Sequence, residues 1–147
     1  MIRELQLRRT NYEDLLALNI RTIFLMINRY LTEGKNAGSL VLDEIEKSIH
    51  YFNDNYNKKI VIEKYAEQHH MTPCWFIQNF KQLTQTTPMQ YILSLRLTNA
   101  MKMLENKNYN VSQIATAVGY DNALYFSRLF KKHTGLSPTE YRKNWQK

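Results

Sequence analysis

One pattern of residues occurs twice in this chain, about fifty residues apart. Its first copy is Tyr65-Ala66, then Met71-Thr72-Pro73, Phe76, Phe80-Lys81, Pro88 and Tyr91. Its second is Ile114-Ala115, then Tyr120-Asp121-Asn122, Phe126, Phe130-Lys131, Pro138 and Tyr141. From Phe76 and Phe126 onward the copies align without a gap, and upstream they differ by one residue. A repeat at such a period can mean a solenoid. Two copies are too few for that, and each is too short to bury a core alone. The pattern predicts an all-α fold in which two helix-turn-helix units share one small domain.

The rest of the chain agrees with a helical reading. Gly and Pro are scarce, at four and three residues, and no Val/Ile/Thr alternation persists. Tyr12, Leu16, Ile20, Ile23, Phe24, Ile27 and Leu31 fall on one face of a first helix, about 12–31, with Gly34 as its stop. The polar stretch Thr32–Ser39 is the best linker, followed by a helix near 42–53 and a polar turn at 53–59. In the repeat, a short helix at 61–68 precedes a second one capped by Thr72, with Pro73 in its first turn, where a missing N–H costs nothing. Pro88 opens a long helix, about 89–104. In the second copy, a short helix at 112–118 ends at Gly119, Asp121 or Asn122 starts the next, and Ser137-Pro138 opens the last.

Charge adds a partner class. Twenty basic and thirteen acidic residues give a net charge of +7. From Lys107 to Lys147, seven Lys/Arg stand against two acids. A basic segment of this kind suits a polyanion, nucleic acid ahead of a membrane. One cysteine, Cys74, excludes an intramolecular disulfide. The most apolar stretch, Leu15–Ile27, is too short and too polar to span a bilayer. No signal peptide is visible, so a cytoplasmic location is expected.

The spacing suits DNA for a geometric reason. A helix-turn-helix needs a small residue where its helices cross, supplied here by Ala66 and Ala115. It then needs a tight turn and a capped helix, apolar inward and polar outward. Phe76 with Phe80, and Phe126 with Phe130, lie four apart on one inward face. Outward on the second helix stand Ala123, Leu124 or Tyr125, and Arg128, which can donate two bonds to guanine. Outward on the first stand Cys74, Ile77 and Gln78. Gln suits adenine, and Ile or Cys can touch a thymine methyl. Lys81, Lys131 and Lys132, toward the helix ends, and Thr72 and Asn122, at the starts, are expected at phosphates.

These residues carry a resemblance. Ile60–Ala100 and Val111–Arg142 resemble the DNA-binding domain of the AraC/XylS transcription regulators. The second copy matches best, through Val111-Ser112-Gln113-Ile114-Ala115, Val118-Gly119-Tyr120, Tyr125-Phe126-Ser127-Arg128-Leu129-Phe130-Lys131-Lys132, Gly135-Leu136-Ser137-Pro138 and Tyr141-Arg142. The resemblance implies double-stranded DNA as partner, no cofactor and no enzymatic activity. It implies a first helix-turn-helix within 42–88, a linker helix at 89–104, roughly 24 Å long, and a second helix-turn-helix within 105–147. The two recognition helices would enter successive major grooves about 34 Å apart. Carried over by position, the base-reading places are Cys74, Ile77 and Gln78, then Ala123, Tyr125 and Arg128. Two departures stand out. Gln85 replaces the family's usual Gly, so the first recognition helix is expected to end differently. Gln78 replaces its usual outward Arg, which implies weaker reading there, or a preference for A·T pairs.

Many members of the family carry a ligand-sensing β-barrel ahead of this domain, and the chain has neither the length nor the strands for one. Within the segment 1–36, Arg3–Leu31 resembles the helical pair that closes such sensors and mediates dimerisation, with Tyr12, Leu16, Ile20, Ile23 and Ile27 as a dimerisation face. The chain is then the carboxy-terminal part of a longer regulator, with 37–147 as its DNA-binding domain. The other reading is a short protein whose first helix packs on its own DNA-binding domain. An activator, a contact to RNA polymerase and a sugar-type effector are family-level expectations. A different class stays open: a helical adaptor that dimerises and binds another regulator or polymerase. His69-His70 cannot both face one metal from a regular helix, so no metal site is expected. Cys74 lacks a paired base.

Overall fold

The computed structural model describes residues 20–25, 27, 38–106 and 108–145, and all of their regular structure is helical. In chain order the helices are α1 (Gly38–Asn55), α2 (Ile62–Gln68), α3 (Pro73–Thr84), α4 (Pro88–Glu105), α5 (Val111–Ala117), α6 (Ala123–Thr134) and α7 (Pro138–Trp145). Residues 20–25 are helical as well, while Tyr12, Leu16 and most of the expected linker lie outside the described residues. Gly38 and Ser39, expected in that linker, instead open α1. The half-buried Val41 and Leu42 extend the apolar face of Ile45 and Ile49 by a turn, which favours the longer helix.

The described chain forms two compact units. The first takes residues up to 55 together with 60–92, and the second takes 56–59 together with the residues from 93 onward. Phe52 is the hub of the first core. Its ring lies 5.8 Å from that of Phe80, 6.3 Å from Phe76, 5.4 Å from Tyr65 and 6.4 Å from Tyr91. These separations suit the edge and tilted contacts that aromatic quadrupoles prefer. Ile45, Ile49, Ile62, Ala66 and Ile92 complete it.

The second core repeats the plan. Phe126 and Phe130 are fully buried with Leu97, Ala100, Leu104, Ile114, Ala115 and Val118. Here the 93–105 part of α4 takes the place that α1 holds in the first. The edge contact of Phe80 on Tyr91, at 5.7 Å and 76°, returns as Phe130 on Tyr141, at 5.6 Å and 84°. Capping boxes open the following helices in both. Thr87 N–H donates to Gln90 Oε1 at 3.1 Å, and Ser137 N–H to Glu140 Oε2 at 2.7 Å. Pro88 and Pro138 are buried at the first helical position, where the absent donor is no loss.

Two arginines tie the second unit together through backbone oxygens. Arg96 donates from Nε to Tyr56 O (2.6 Å), from Nη2 to Lys58 O (2.8 Å) and from Nη1 to Gly119 O (3.2 Å). Its guanidinium also lies 5.0 Å from the Tyr120 ring centre, a cation–π distance. Arg142 donates to Leu104 O and Tyr109 O, satisfying a carbonyl at the end of α4. A rigid planar fork can serve carbonyls from separate segments, which an ammonium cannot.

Candidate nucleic-acid interface

Each recognition helix is set by a short helix, a turn and a cap. In both copies the helix before the turn closes with the same bond, Met71 N–H to Ala66 O (2.9 Å) and Tyr120 N–H to Ala115 O (2.8 Å). The left-handed turn residue just before it is His70 (φ 58°) in the first copy and Gly119 (φ 90°) in the second. The caps, Thr72 and Asn122, then stand fifty apart rather than forty-nine. Asp121 is therefore the extra residue that puts the copies out of step, and Asn122, not Asp121, is the cap.

Thr72 Oγ1 accepts from Trp75 N–H at 3.3 Å. Asn122 Oδ1 accepts from both Leu124 and Tyr125 N–H at 2.9 Å. At the far ends, Gln85 (φ 63°) and Gly135 (φ 78°) both turn left-handed and both donate to the carbonyl four residues back, Lys81 and Lys131. The different ending expected from Gln85 does not occur. Gln85 adopts the glycine conformation, and its side-chain amide donates to Gln82 O at 2.8 Å. Thr84 and Thr134 brace these ends alike, each hydroxyl donating to the carbonyl of the buried Phe80 or Phe130.

Helical geometry then sorts the side chains. On α3, Phe76, Phe80 and Thr84 point inward, and Cys74, Trp75, Gln78, Lys81 and Gln82 are exposed. On α6, Phe126 and Phe130 point inward, and Leu124 (62% exposed), Tyr125 (57%), Arg128, Lys131 and Lys132 face out. Of the six base-reading places carried over, Cys74, Gln78, Tyr125 and Arg128 lie on these outer faces. Ile77 is half-buried, and Ala123 is half-buried against the second core. Trp75 occupies the position of Tyr125, a placement that the family carry-over leaves out. Applying the fifty-residue offset to Tyr125 finds it.

The expected phosphate contacts are at helix ends, as charge and cap roles require. Lys81, Lys131 and Lys132 are exposed, Lys131 standing 4.0 Å from Glu140. Hydrogen bonds from the Ser137 hydroxyl and N–H hold the Glu140 carboxyl below its ordinary range, helped by Lys131. Burial raises the Tyr120 phenol, while Arg96 opposes that shift. Of the expected dimerisation face, Ile20, Ile23 and Ile27 are exposed alongside Phe24. Thr22 and Leu25, on the opposite side, line a crevice with Leu42, Ile45, Ile49 and Leu83.

Among the described residues, no three His, Cys, Asp or Glu side chains gather where a metal could be held. None of the described helices is long and apolar enough to cross a membrane.

Comparison with known proteins places this geometry among others. A family model described as a helix-turn-helix domain matches residues 65–144. The MmsAB operon regulatory protein of Pseudomonas aeruginosa is 35% identical over 105 residues, covering 71% of this chain and 33% of the relative. The lactose operon transcription activator of Staphylococcus xylosus is 31% identical over 103 residues, covering 70% of this chain and 37% of the relative. The chain thus spans about a third of the length of these relatives. Among solved structures, a transcriptional regulator from Chromobacterium violaceum, described with AraC-type DNA-binding domain-containing proteins, superposes with a TM-score of 0.63 at 25% identity. That match covers 75% of this chain and 96% of the other.

Proposed function

Since this chain belongs to the AraC family of DNA-binding transcription regulators, we propose that it is a sequence-specific regulator that lays α3 and α6 into two major-groove segments of one duplex. One observation carries this reading. The two helices present outer faces at matching positions, Trp75 with Tyr125 and Gln78 with Arg128, each behind a capped N-terminus. Base edges are read by such faces, and the flanking lysines and caps meet phosphates. On this reading Cys74, Trp75 and Gln78, then Leu124, Tyr125 and Arg128, face the bases. Thr72, Lys81, Asn122, Lys131 and Lys132 face the backbone.

An activating role draws support from the Staphylococcus xylosus relative, named as a transcription activator. It implies a contact with RNA polymerase and a cytoplasmic location, beside the nucleoid. The exposed stripe of Ile20, Ile23, Phe24 and Ile27 supports pairing with a second copy.

Selection of bound sequences from a random duplex library, at near-physiological salt, tests the reading. Two short half-boxes one helical turn apart are expected, and a mirrored or repeated motif would add dimerisation. No enriched motif, with binding that vanishes at moderate salt, would sink it in favour of a helical adaptor.

A further inference from the structure

The two units differ in charge far more than in fold. Residues 38–55 and 60–92 contain three lysines against six acidic residues, whereas residues 56–59 and 93–145 contain ten Lys/Arg against three acids. The contrast persists on the faces assigned to DNA. The exposed positions of α3 are Cys74, Trp75, Gln78, Lys81 and Gln82, with a single cation among them. Their counterparts on α6 are Leu124, Tyr125, Arg128, Lys131 and Lys132, with three.

Part of the second unit's charge arrives from a distant stretch of sequence. Lys58 and Lys59 lie between α1 and α2 in the sequence, yet the 56–59 segment belongs to the second unit. Arg96 holds it there through Tyr56 O and Lys58 O.

We propose that the salt-dependent grip on DNA resides almost wholly in the second unit, while the first reads bases through uncharged side chains and contributes at most one cationic phosphate contact, from Lys81, beside the uncharged Thr72. The inference rests on the DNA-reading function above and adds a division of labour to it. Its physical basis is counterion release. Each phosphate neutralised by a Lys or Arg steepens the fall of log K with log salt by about 0.9. Amide, thiol and indole contacts release no counterions. The second unit therefore anchors the chain on any duplex, and the first adds discrimination that salt leaves largely intact. The first unit's acidic excess also makes non-specific docking by that unit alone unfavourable.

The test is a salt series on the full chain, comparing a selected duplex with a scrambled one. Lys131→Ala with Lys132→Ala is expected to flatten the slope by about two. Lys81→Ala should flatten it by at most about one. Trp75→Ala and Gln78→Ala should weaken binding to the selected duplex several-fold and leave the slope unchanged. A gain-of-function variant gives an independent check. Gln82→Lys places a cation where α6 has Lys132, and it should steepen the slope by about one and tighten binding to both duplexes. All six positions are exposed, and a thermal melt confirms that each variant folds. An unchanged slope in the double variant would overturn the proposal. So would a slope loss from Lys81→Ala as large as that of the double variant, or no steepening with Gln82→Lys. A wild-type chain with no sequence preference at any salt would instead overturn the DNA-reading function, and this proposal with it.

Discussion

A methyl group placed on Gly119 would lie 2.5 Å from the carbonyl oxygen of Asn57. The Asn57 carbonyl carbon and Cα would also crowd it, at 2.8 and 3.0 Å. All three atoms are backbone, and Arg96 fixes the peptides on either side through Tyr56 O and Lys58 O. Gly119 also sits at φ 90°, where an L side chain is strained in any surroundings. Gly119→Ala is expected to destabilise the second unit by about 3 kcal/mol, combining left-handed strain with overpacking. Denaturant unfolding followed by far-UV circular dichroism measures it. A loss below about 1 kcal/mol would mean that the 56–59 segment yields easily.

Gln85 poses the opposite case. It takes the left-handed conformation that Gly135 takes in the second copy, with the same bond to the carbonyl four residues back. For a non-glycine residue that conformation costs roughly 1–2 kcal/mol, and glycine returns part of the gain as unfolded-state entropy. The lost side-chain bond to Gln82 O is exposed and small. Gln85→Gly should therefore stabilise the protein by about 0.5–1 kcal/mol, read as a raised denaturant midpoint at unchanged m-value. A lowered midpoint would mean that the Gln85 amide holds the helix end.

Much of this was legible because the repeat encodes it locally. Phe76, Phe80, Phe126 and Phe130 announce the inward faces by spacing alone, and all four are fully buried. Thr72 and Pro73 announce a helix start, and Gly135 a helix end. Long-range packing was not legible. Arg96 looks like a surface charge on a helix, and nothing in its neighbourhood names Tyr56, forty residues away, as its acceptor. The turn at 53–59 reads as polar and exposed, while its backbone oxygens are the anchor for the second unit. The outer faces were half legible. Ile77 and Ala123 sit one position away from truly exposed sites, and a helix turns about 100° per residue. That is enough to carry a side chain from the outer face to its edge.

The Tyr65 phenol is buried, and its hydroxyl has no hydrogen-bond partner among the described residues. Burial first, then the nearby Glu44 and Tyr51, push its pKa up to about 12. The unfolded phenol ionises near 10, so the folded state binds this proton more tightly. The resulting stability is fully present below about pH 10 and is lost as pH rises through about 12. Tyr91, Tyr120 and Tyr141 are raised by burial too, so the chain should unfold cooperatively in strong alkali. Tyrosinate absorbance should appear together with the loss of helix. Tyr65→Phe removes an unsatisfied hydroxyl and is expected to be neutral, or stabilising by about 1 kcal/mol, at neutral pH, with a shallower alkaline loss. A cost above about 1 kcal/mol would reveal a partner for the hydroxyl.

Asn122 carries two separable roles. Its side-chain oxygen caps α6 by accepting from Leu124 and Tyr125 N–H, and on the proposed reading its amide meets a phosphate. Asn122→Asp keeps the acceptor and adds a negative charge that the helix N-terminus favours, so thermal stability should hold within about 0.5 kcal/mol. Its charge would repel the DNA backbone and weaken binding to every sequence alike. Asn122→Ala removes the cap and should cost about 1 kcal/mol of stability. Wild-type affinity in the Asp variant would reduce Asn122 to a cap alone.

Arg128 and Lys132 stand on the same exposed side of α6 and should answer differently to the same change. Arg128 lies mid-helix, where a planar guanidinium can pair with guanine O6 and N7. Lys132 lies in the last turn, where on the proposed reading a flexible ammonium would meet phosphate as a point charge. Arg128→Ala should cost about 1–3 kcal/mol on the selected duplex and relax one base position in a repeated selection. Its effect on scrambled DNA should be smaller. Lys132→Ala should weaken both duplexes equally and leave the selected motif unchanged. Equal losses on the two duplexes with Arg128→Ala, or a changed motif with Lys132→Ala, would exchange the roles of the two residues. The outer face of α6 would then have to be rotated toward Leu124 and Tyr125 as the readers.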